Sequence, residues 1–220
     1  MIGIIDYGMG NLHSVQSACS HLQLESVVSS DPNVLAGCDK LILPGVGAFG
    51  DMEHMLKSSG LFAWLKEQVN VQKKPLLGIC LGMQALFEVS YEFGEYEGFG
   101  FLKGKVRAME PLLYTEAGKP AKLTVPQIGW NQLFFSSDFA LEQELEADPY
   151  VYFDHTYLVQ DWDPAALMAY AQYGPYVVPA ICLKDNVMGT QFHPEKSGET
   201  GLAILAWFGK EFCNASASGH

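Results

Sequence analysis

Gly78-Ile-Cys80-Leu-Gly82 is the segment of this sequence best suited to chemistry. Strand-like Pro75-Leu-Leu77 leads into it and a helical pattern follows. Small residues on both sides of a nucleophile permit a tight strand-to-helix turn, with cysteine standing where an elbow motif carries serine. Such a turn pushes Sγ out of the sheet and onto a helix N-terminus, where the dipole favours a thiolate. The plainer alternative is a buried cysteine in a strand–helix turn. Cys19, Cys38, Cys182 and Cys213 lack flanking glycines and read as core or surface thiols.

A nucleophile needs a base, and the base needs an orienting group. Gln191-Phe-His193-Pro-Glu195 supplies both. In an extended segment residues i and i+2 share a side. His193 and Glu195 are therefore expected to face one site, with Pro194 stiffening the link. A surface His-Pro turn is the competing reading, and spacing alone does not bring His193 to Cys80.

Two further loops sit at strand ends. Pro44-Gly-Val-Gly47 is either a plain turn or a loop whose glycines let a backbone N–H aim at a reacting carbonyl. Asp6-Tyr-Gly-Met-Gly-Asn11 follows a strand and precedes a helix, but it lacks the full G-x-G-x-x-G of a nucleotide loop. Gln84 follows Cys80 by one helical turn, so both can face one cleft. His13, His21 and His54 fall on helix faces without a partner pattern.

The elements that must position these residues alternate along the first half of the chain. Met1–Asp6, Val27–Val28, Lys40–Pro44 and Pro75–Ile79 read as strands. Leu12–Leu22, a stretch after Asp31-Pro32, Asp51–Val71 with a break near Gly60, and Leu81–Phe87 read as helices. This alternation implies a parallel sheet covered on both faces. Shorter strands are expected at Val106, Leu123–Val125, Val151–Phe153, Leu167–Tyr170, Ala180–Leu183 and Val187–Gln191. Asp185-Asn186 suggests a tight hairpin between the last two, and Gly201–Phe212 a closing helix. The expected fold is α/β: an open, mostly parallel flavodoxin-like sheet flanked by helices, with an added mixed β region. Residues 1–213 are expected to form one domain and 214–220 a disordered tail.

Composition narrows the function. The 220 residues are 49% hydrophobic, with a net charge of −12 and a single arginine, Arg107. That balance argues against nucleic acid, whose affinity rests on cations meeting phosphates. No stretch approaches the ~20 apolar residues of a membrane span, and the N-terminus lacks the marks of a signal peptide. An odd count of five cysteines without metal-type spacing points to a reducing compartment, hence the cytoplasm. No metal or organic cofactor is indicated.

Gly78-Ile-Cys-Leu-Gly-Met-Gln84 together with Gln191-Phe-His-Pro-Glu195 resembles the signature of class I glutamine amidotransferases. Asp6–Asn11, Leu43-Pro-Gly-Val-Gly-Ala-Phe-Gly50, Gly129-Trp-Asn131 and His193-Pro-Glu-Lys-Ser197 extend the resemblance over nearly the whole chain, in order. Within the family they are most similar to the branch that serves histidine biosynthesis. The resemblance implies hydrolysis of glutamine to glutamate and ammonia through a thioester on Cys80, with His193 and Glu195 completing the triad. It implies an oxyanion hole from the N–H groups of Val46 and Leu81, and glutamine contacts from Gly47, Gln84, Glu92, Thr156 and Tyr157. Met9, Asn11, Trp130 and Lys196 would face a cyclase subunit that makes imidazole glycerol phosphate and an aminoimidazole carboxamide ribotide, forming a heterodimer with this chain. Relatives commonly carry His at the position of Gln127 and an apolar residue at that of Asp154. A glutaminase serving another acceptor synthase, such as a sugar-modifying enzyme, and a non-catalytic interaction subunit remain the alternatives.

Overall fold

Lys40–Gly45 and Leu76–Cys80 are buried at every residue, as strands covered on both faces must be. In the computed structural model, which describes residues 1–116, 119–136 and 139–213, they lie at the centre of an eight-stranded sheet. Four parallel strands, β1 (Ile2–Ile5), β2 (Ser26–Ser29), β3 (Lys40–Gly45) and β4 (Leu76–Cys80), run in the spatial order β2, β1, β3, β4. Val187–Thr190 extends the parallel array beyond β4. This is the doubly wound order whose ligands sit at the carboxyl ends of the strands. Tyr176–Lys184, Leu167–Tyr173 and Phe134–Phe135 then continue the sheet antiparallel, the expected mixed region.

Alternation along the strands builds the core. Leu41 and Leu43 join one apolar cluster, while Ile42 between them joins the other. Helices Leu12–His21 and Gly198–Lys210 cover the Ile42 face, and Phe49–Ser58 with Leu61–Asn70 cover the Leu41 face. The break between the latter pair falls at Gly60, whose φ of +78° suits glycine. Asp31 caps Pro32–Ala36 by accepting from the Asn33 N–H, and Asp185, at φ +52°, turns the chain between Lys184 and Val187.

The expected strand at Leu123–Val125 is absent. Pro126 offers no N–H to a ladder, and pairing begins one residue later. Gln127–Gln132, which has little β-branched character of its own, is a strand because Tyr150–His155 pairs with it antiparallel. The helix after Cys80 stops at Ala85 rather than Phe87. The expected tail, 214–220, lies outside the described residues. No helix among the described residues is long and apolar enough to cross a membrane.

Candidate active site

β4 ends at Cys80 and the next helix, Leu81–Ala85, begins at the following residue. With no loop between them, Cys80 takes the whole turn, at φ +55° and ψ −110°. Non-glycine residues rarely adopt such values, and they persist where the surroundings over-determine them. The flanking glycines let backbones close in around the turn. A Cβ on Gly78 would lie 2.6 Å from the Gly82 carbonyl oxygen, and one on Gly82 would collide with the Leu43 carbonyl oxygen.

Sheet register brings the other parts to this point. Gly45, at the end of β3, pairs with Cys80, so the Val46–Gly47 loop leaves the sheet beside the sulfur. Gly45 and Gly47 do different work there. A Cβ on Gly45 would stand 2.7 Å from the Gly82 nitrogen, whereas Gly47 supplies a positive φ of +95°. Thr190 pairs with Ile79, so the chain after Thr190 also emerges next to Cys80. Gln191 Nε2 lies 3.9 Å from Cys80 Sγ.

His193 and Glu195 do not share a side of an extended segment. Pro194, whose fixed φ suits a first helical position, opens the 3-10 turn Pro194–Lys196 instead. The two side chains still meet, with His193 Nδ1 2.8 Å from Glu195 Oε1 and only 3% and 1% exposed. The Ser197 hydroxyl holds the turn, donating to the His193 carbonyl at 2.6 Å and accepting from the Tyr152 N–H at 2.9 Å. With Nδ1–H committed to a carboxylate, Nε2 is the nitrogen left for Cys80. Burial alone would push the imidazole down, but its hydrogen bonds to Cys80 and Glu195 outweigh burial and raise its pKa to about 10.

A cavity of about 270 Å³ opens in front of the sulfur. It lies just below the ~300–1,000 Å³ usual for drug-sized ligands and suits a small amide. Cys80, His193, Val46, Leu81, Gly47, Gln84, Glu92, Thr156 and Tyr157 all line it. Glu195 does not line it; its pairing places it at the Nδ1 edge of His193. Both amide hydrogens of Gln84 are engaged, by the Tyr157 carbonyl at 2.9 Å and Gln191 Oε1 at 3.1 Å, leaving its oxygen for a ligand. Glu92 is 8% exposed rather than a solvated loop acid. Its Oε2 accepts from the Phe49 N–H at 2.9 Å, and burial raises its pKa.

The expected partner-facing residues divide. Lys196 lines the cavity, while Met9, Asn11 and Trp130 do not. Met9 packs over the loop beside the sulfur, since a Cβ on Gly47 would meet its Cε at 2.6 Å. Trp130 is 53% exposed on the outer face of its strand, next to exposed Ile128. Lys196 Nζ lies 5.9 Å from the Tyr152 ring centre, and Trp130 meets Tyr152 edge-on at 6.1 Å. Register explains this, because Tyr152 is the cross-strand partner of Trp130 and lies nearer the turn that carries Lys196.

Sequence reasoning assigned no role to Gln191, His155 or Ser197. Gln191 and Ser197 lie inside motifs already singled out, but their partners come from distant strands. His155 is buried on the cavity wall. Its Nδ1 meets the Tyr157 carbonyl at 2.8 Å, and burial lowers its pKa to about 4. Asp154 was noted only as a departure; its carbonyl oxygen lies 3.9 Å from Cys80 Sγ.

A cysteine elbow, a buried His–Glu pair and a small cavity at the carboxyl edge of this sheet are the marks of a triad amidotransferase. The chain belongs to the class-I glutamine amidotransferase family, whose model matches residues 3–212. It is 49% identical over 205 residues to the imidazole glycerol phosphate synthase subunit HisH of Geobacillus sp. (strain WCH70), an alignment covering 93% of this chain and 94% of that protein. It is 44% identical over 211 residues to the protein of the same name from Caldanaerobacter subterraneus subsp. tengcongensis, covering 96% and 98%. Among solved structures, a glutamine amidotransferase superposes with a TM-score of 0.67 at 17% identity, covering 94% of this chain and 98% of that one, a likeness of fold alone.

Proposed function

We infer that this chain is the glutaminase subunit of an imidazole glycerol phosphate synthase, the assembly for which its relatives are named. The reaction begins as Cys80 gives its proton to His193. Sγ attacks the side-chain carbonyl carbon of glutamine, and the N–H groups of Val46 and Leu81 receive the oxyanion. One such donor is worth roughly 2.7–4 kcal/mol. His193 passes its proton to the amide nitrogen, the C–N bond breaks, and ammonia leaves a thioester on Cys80. Neutral His193 then takes a proton from water as its oxygen adds to the thioester. Collapse expels the thiolate and releases glutamate. Glu195 orients the imidazole and stabilises its charged form throughout. Gly47, Gln84, Glu92, Thr156 and Tyr157 hold the glutamine.

The ammonia is delivered to a cyclase subunit in the cytoplasm, docked on the surface that includes Met9, Asn11, Trp130 and Lys196. The observation that carries this reading is the meeting in one small cavity of Cys80, at φ +55°, with His193, which the buried Glu195 holds at its Nδ1 edge. The test mixes the chain with a candidate cyclase and measures glutamate release with and without the cyclase's nucleotide ligand. Release that rises with the ligand and is blocked by alkylating Cys80 is expected. Release independent of the cyclase would point to another acceptor synthase, and no release in any mixture would leave a non-catalytic subunit.

A further inference from the structure

Residues 91–95 join the antiparallel pair Val89–Ser90 and Tyr96–Glu97 as a hairpin loop, and Phe93 stands at its middle. Phe93 takes φ +55°, although glycine is the very next residue. Left-handed backbone is an outlier for a bulky side chain, and hairpin loops ordinarily give such positions to Gly, Asn or Asp. Gly94 serves another need, since a Cβ there would lie 3.1 Å from the Tyr96 ring. On the other side Glu92 turns inward. Its carboxylate accepts from the Phe49 N–H at 2.9 Å, and its own N–H donates to Ser90 Oγ at 3.3 Å. The loop is thus pinned on both sides of Phe93, whose side chain is left 86% exposed. A single exposed apolar residue is ordinary. One that also holds an unfavourable backbone returns little burial for that strain, so its use lies outside the free fold.

The neighbours of the ring suggest the use. Phe93 meets Tyr157 edge-on, with ring centres 6.0 Å apart and planes at 68°. Tyr157 and Glu92 both line the cavity in front of Cys80 and are close enough to interact electrostatically. Phe93 stands just outside the wall, and exposed side chains of this kind change rotamer within ps–ns. Glutamine must bring its amide to Sγ, so its amino-acid end lies further along the cavity. Two acids line that cavity, Asp154 and Glu92. Asp154 belongs to the sulfur end, its carbonyl oxygen 3.9 Å from Cys80 Sγ, which leaves Glu92 to draw the α-ammonium. We propose that Phe93 is a further glutamine-positioning residue, whose ring closes over the α-ammonium end of glutamine at the rim formed by Glu92 and Tyr157. This rests on the glutaminase reading above. An aromatic face attracts a cation, and by excluding water it strengthens the pairing of that cation with Glu92. Because the loop is pinned, closure needs only rotation of the side chain.

The test is steady-state glutaminase activity in the assembled complex with the cyclase and its nucleotide ligand. Phe93→Ala removes the ring and keeps a Cβ. KM for glutamine should rise roughly 2–30-fold, the range for a lost cation–ring contact, with kcat changing little. Inhibition by glutamate, which carries the same amino-acid end, should weaken by the same factor. Alkylation of Cys80 by iodoacetamide, an amide without that end, should keep its rate. Phe93→Tyr, which retains a ring, should retain the wild-type KM. Phe93→Gly, which relieves the positive φ, should bind glutamine as weakly as Phe93→Ala yet unfold at the wild-type temperature or above it. A lower unfolding temperature in Phe93→Gly, or a changed alkylation rate in Phe93→Ala, overturns the proposal and assigns the ring to the fold. An unchanged KM with weakened cyclase affinity overturns it and assigns the ring to the partner. A wild-type complex that releases no glutamate defeats the glutaminase reading, whereas normal wild-type release with an unaltered KM in Phe93→Ala defeats the role of Phe93 alone.

Discussion

Gly82 lies against Leu43 so closely that a methyl group on its Cα would occupy the space of the Leu43 carbonyl oxygen. The helix that follows Cys80 can therefore begin at the sheet only if this position has no side chain. Gly82→Ala should force the elbow apart. Overpacking of this kind costs about 1–3 kcal/mol, and the displaced turn should also move the sulfur. Thermal unfolding and the rate of Cys80 alkylation check both; a variant as stable and as reactive as the wild type would show that the contact yields freely.

Cys80→Ala should abolish glutamine-dependent synthesis by the complex with the cyclase while sparing synthesis from added ammonium salts. The two chemistries belong to separate subunits, so the loss should be selective. Retained glutamine use would remove Cys80 from the mechanism.

The two buried histidines should give stability opposite pH limbs. His193 is raised from 6.5 to about 10 in the fold, so its contribution is complete below pH 6.5 and lost as pH rises toward about 10. His155 is lowered from 6.5 to about 4, so its contribution is complete above pH 6.5 and lost as pH falls toward about 4. Urea midpoints across this range should fall on both sides. His155→Gln should flatten the acid limb. Glu195→Gln, by removing one of the groups that raise His193, should flatten the alkaline one. Limbs unaltered in these variants would assign the pH dependence to other groups.

Trp130→Ala should weaken the coupling between glutamate formed and product made. The indole is half exposed and braces Tyr152, over which Lys196 sits at the cavity wall. A cation over an aromatic ring contributes roughly 0.5–2 kcal/mol, so disturbing its support should change subunit affinity by a similar amount. Unchanged affinity and unchanged stoichiometry would remove Trp130 from the interface.

The isolated chain should be nearly idle. Gly47 takes a positive φ beside Val46, and Met9, on the loop proposed to face the partner, packs over it. A peptide turned away from the oxyanion would forfeit a donor worth about 2.7–4 kcal/mol, or roughly 10²–10³ in rate. Partner binding would have to restore the productive orientation by a comparable amount. Glutamate production by the lone chain, then with cyclase, then with the liganded cyclase should rise stepwise; a lone chain as fast as the liganded complex defeats the switch.

The alternation of β1 to β4 with helices was legible because each element carries its own periodicity, and Cys80 because its glycines are adjacent in sequence. Gly60 and the Asp185 turn were legible for the same local reason. The strand at Gln127–Gln132 was not, since its pairing with Tyr150–His155 decides it rather than its composition. The same holds within the cavity. The Gln84–Gln191 bond joins two motifs that were both visible, yet only the register of Thr190 against Ile79 brings them together. The seat of Lys196 over Tyr152 was not legible either, because sequence motifs do not reveal that Trp130 and Tyr152 are cross-strand neighbours.

The junction at Cys80 also limits how this chain can change in length. At the Asp185 turn an inserted residue would lengthen a connection between two antiparallel strands and leave their pairing to re-form. Between Ile79 and Leu81 there is no connection to lengthen. An extra residue would have to be absorbed by β4, shifting its side chains to the opposite face, or by the helix, rotating Gln84 away from Tyr157 and Gln191. Descendants of this sequence are therefore free to gain or lose residues at the hairpin, while the distance from Gly78 to Gln84 is held fixed by geometry.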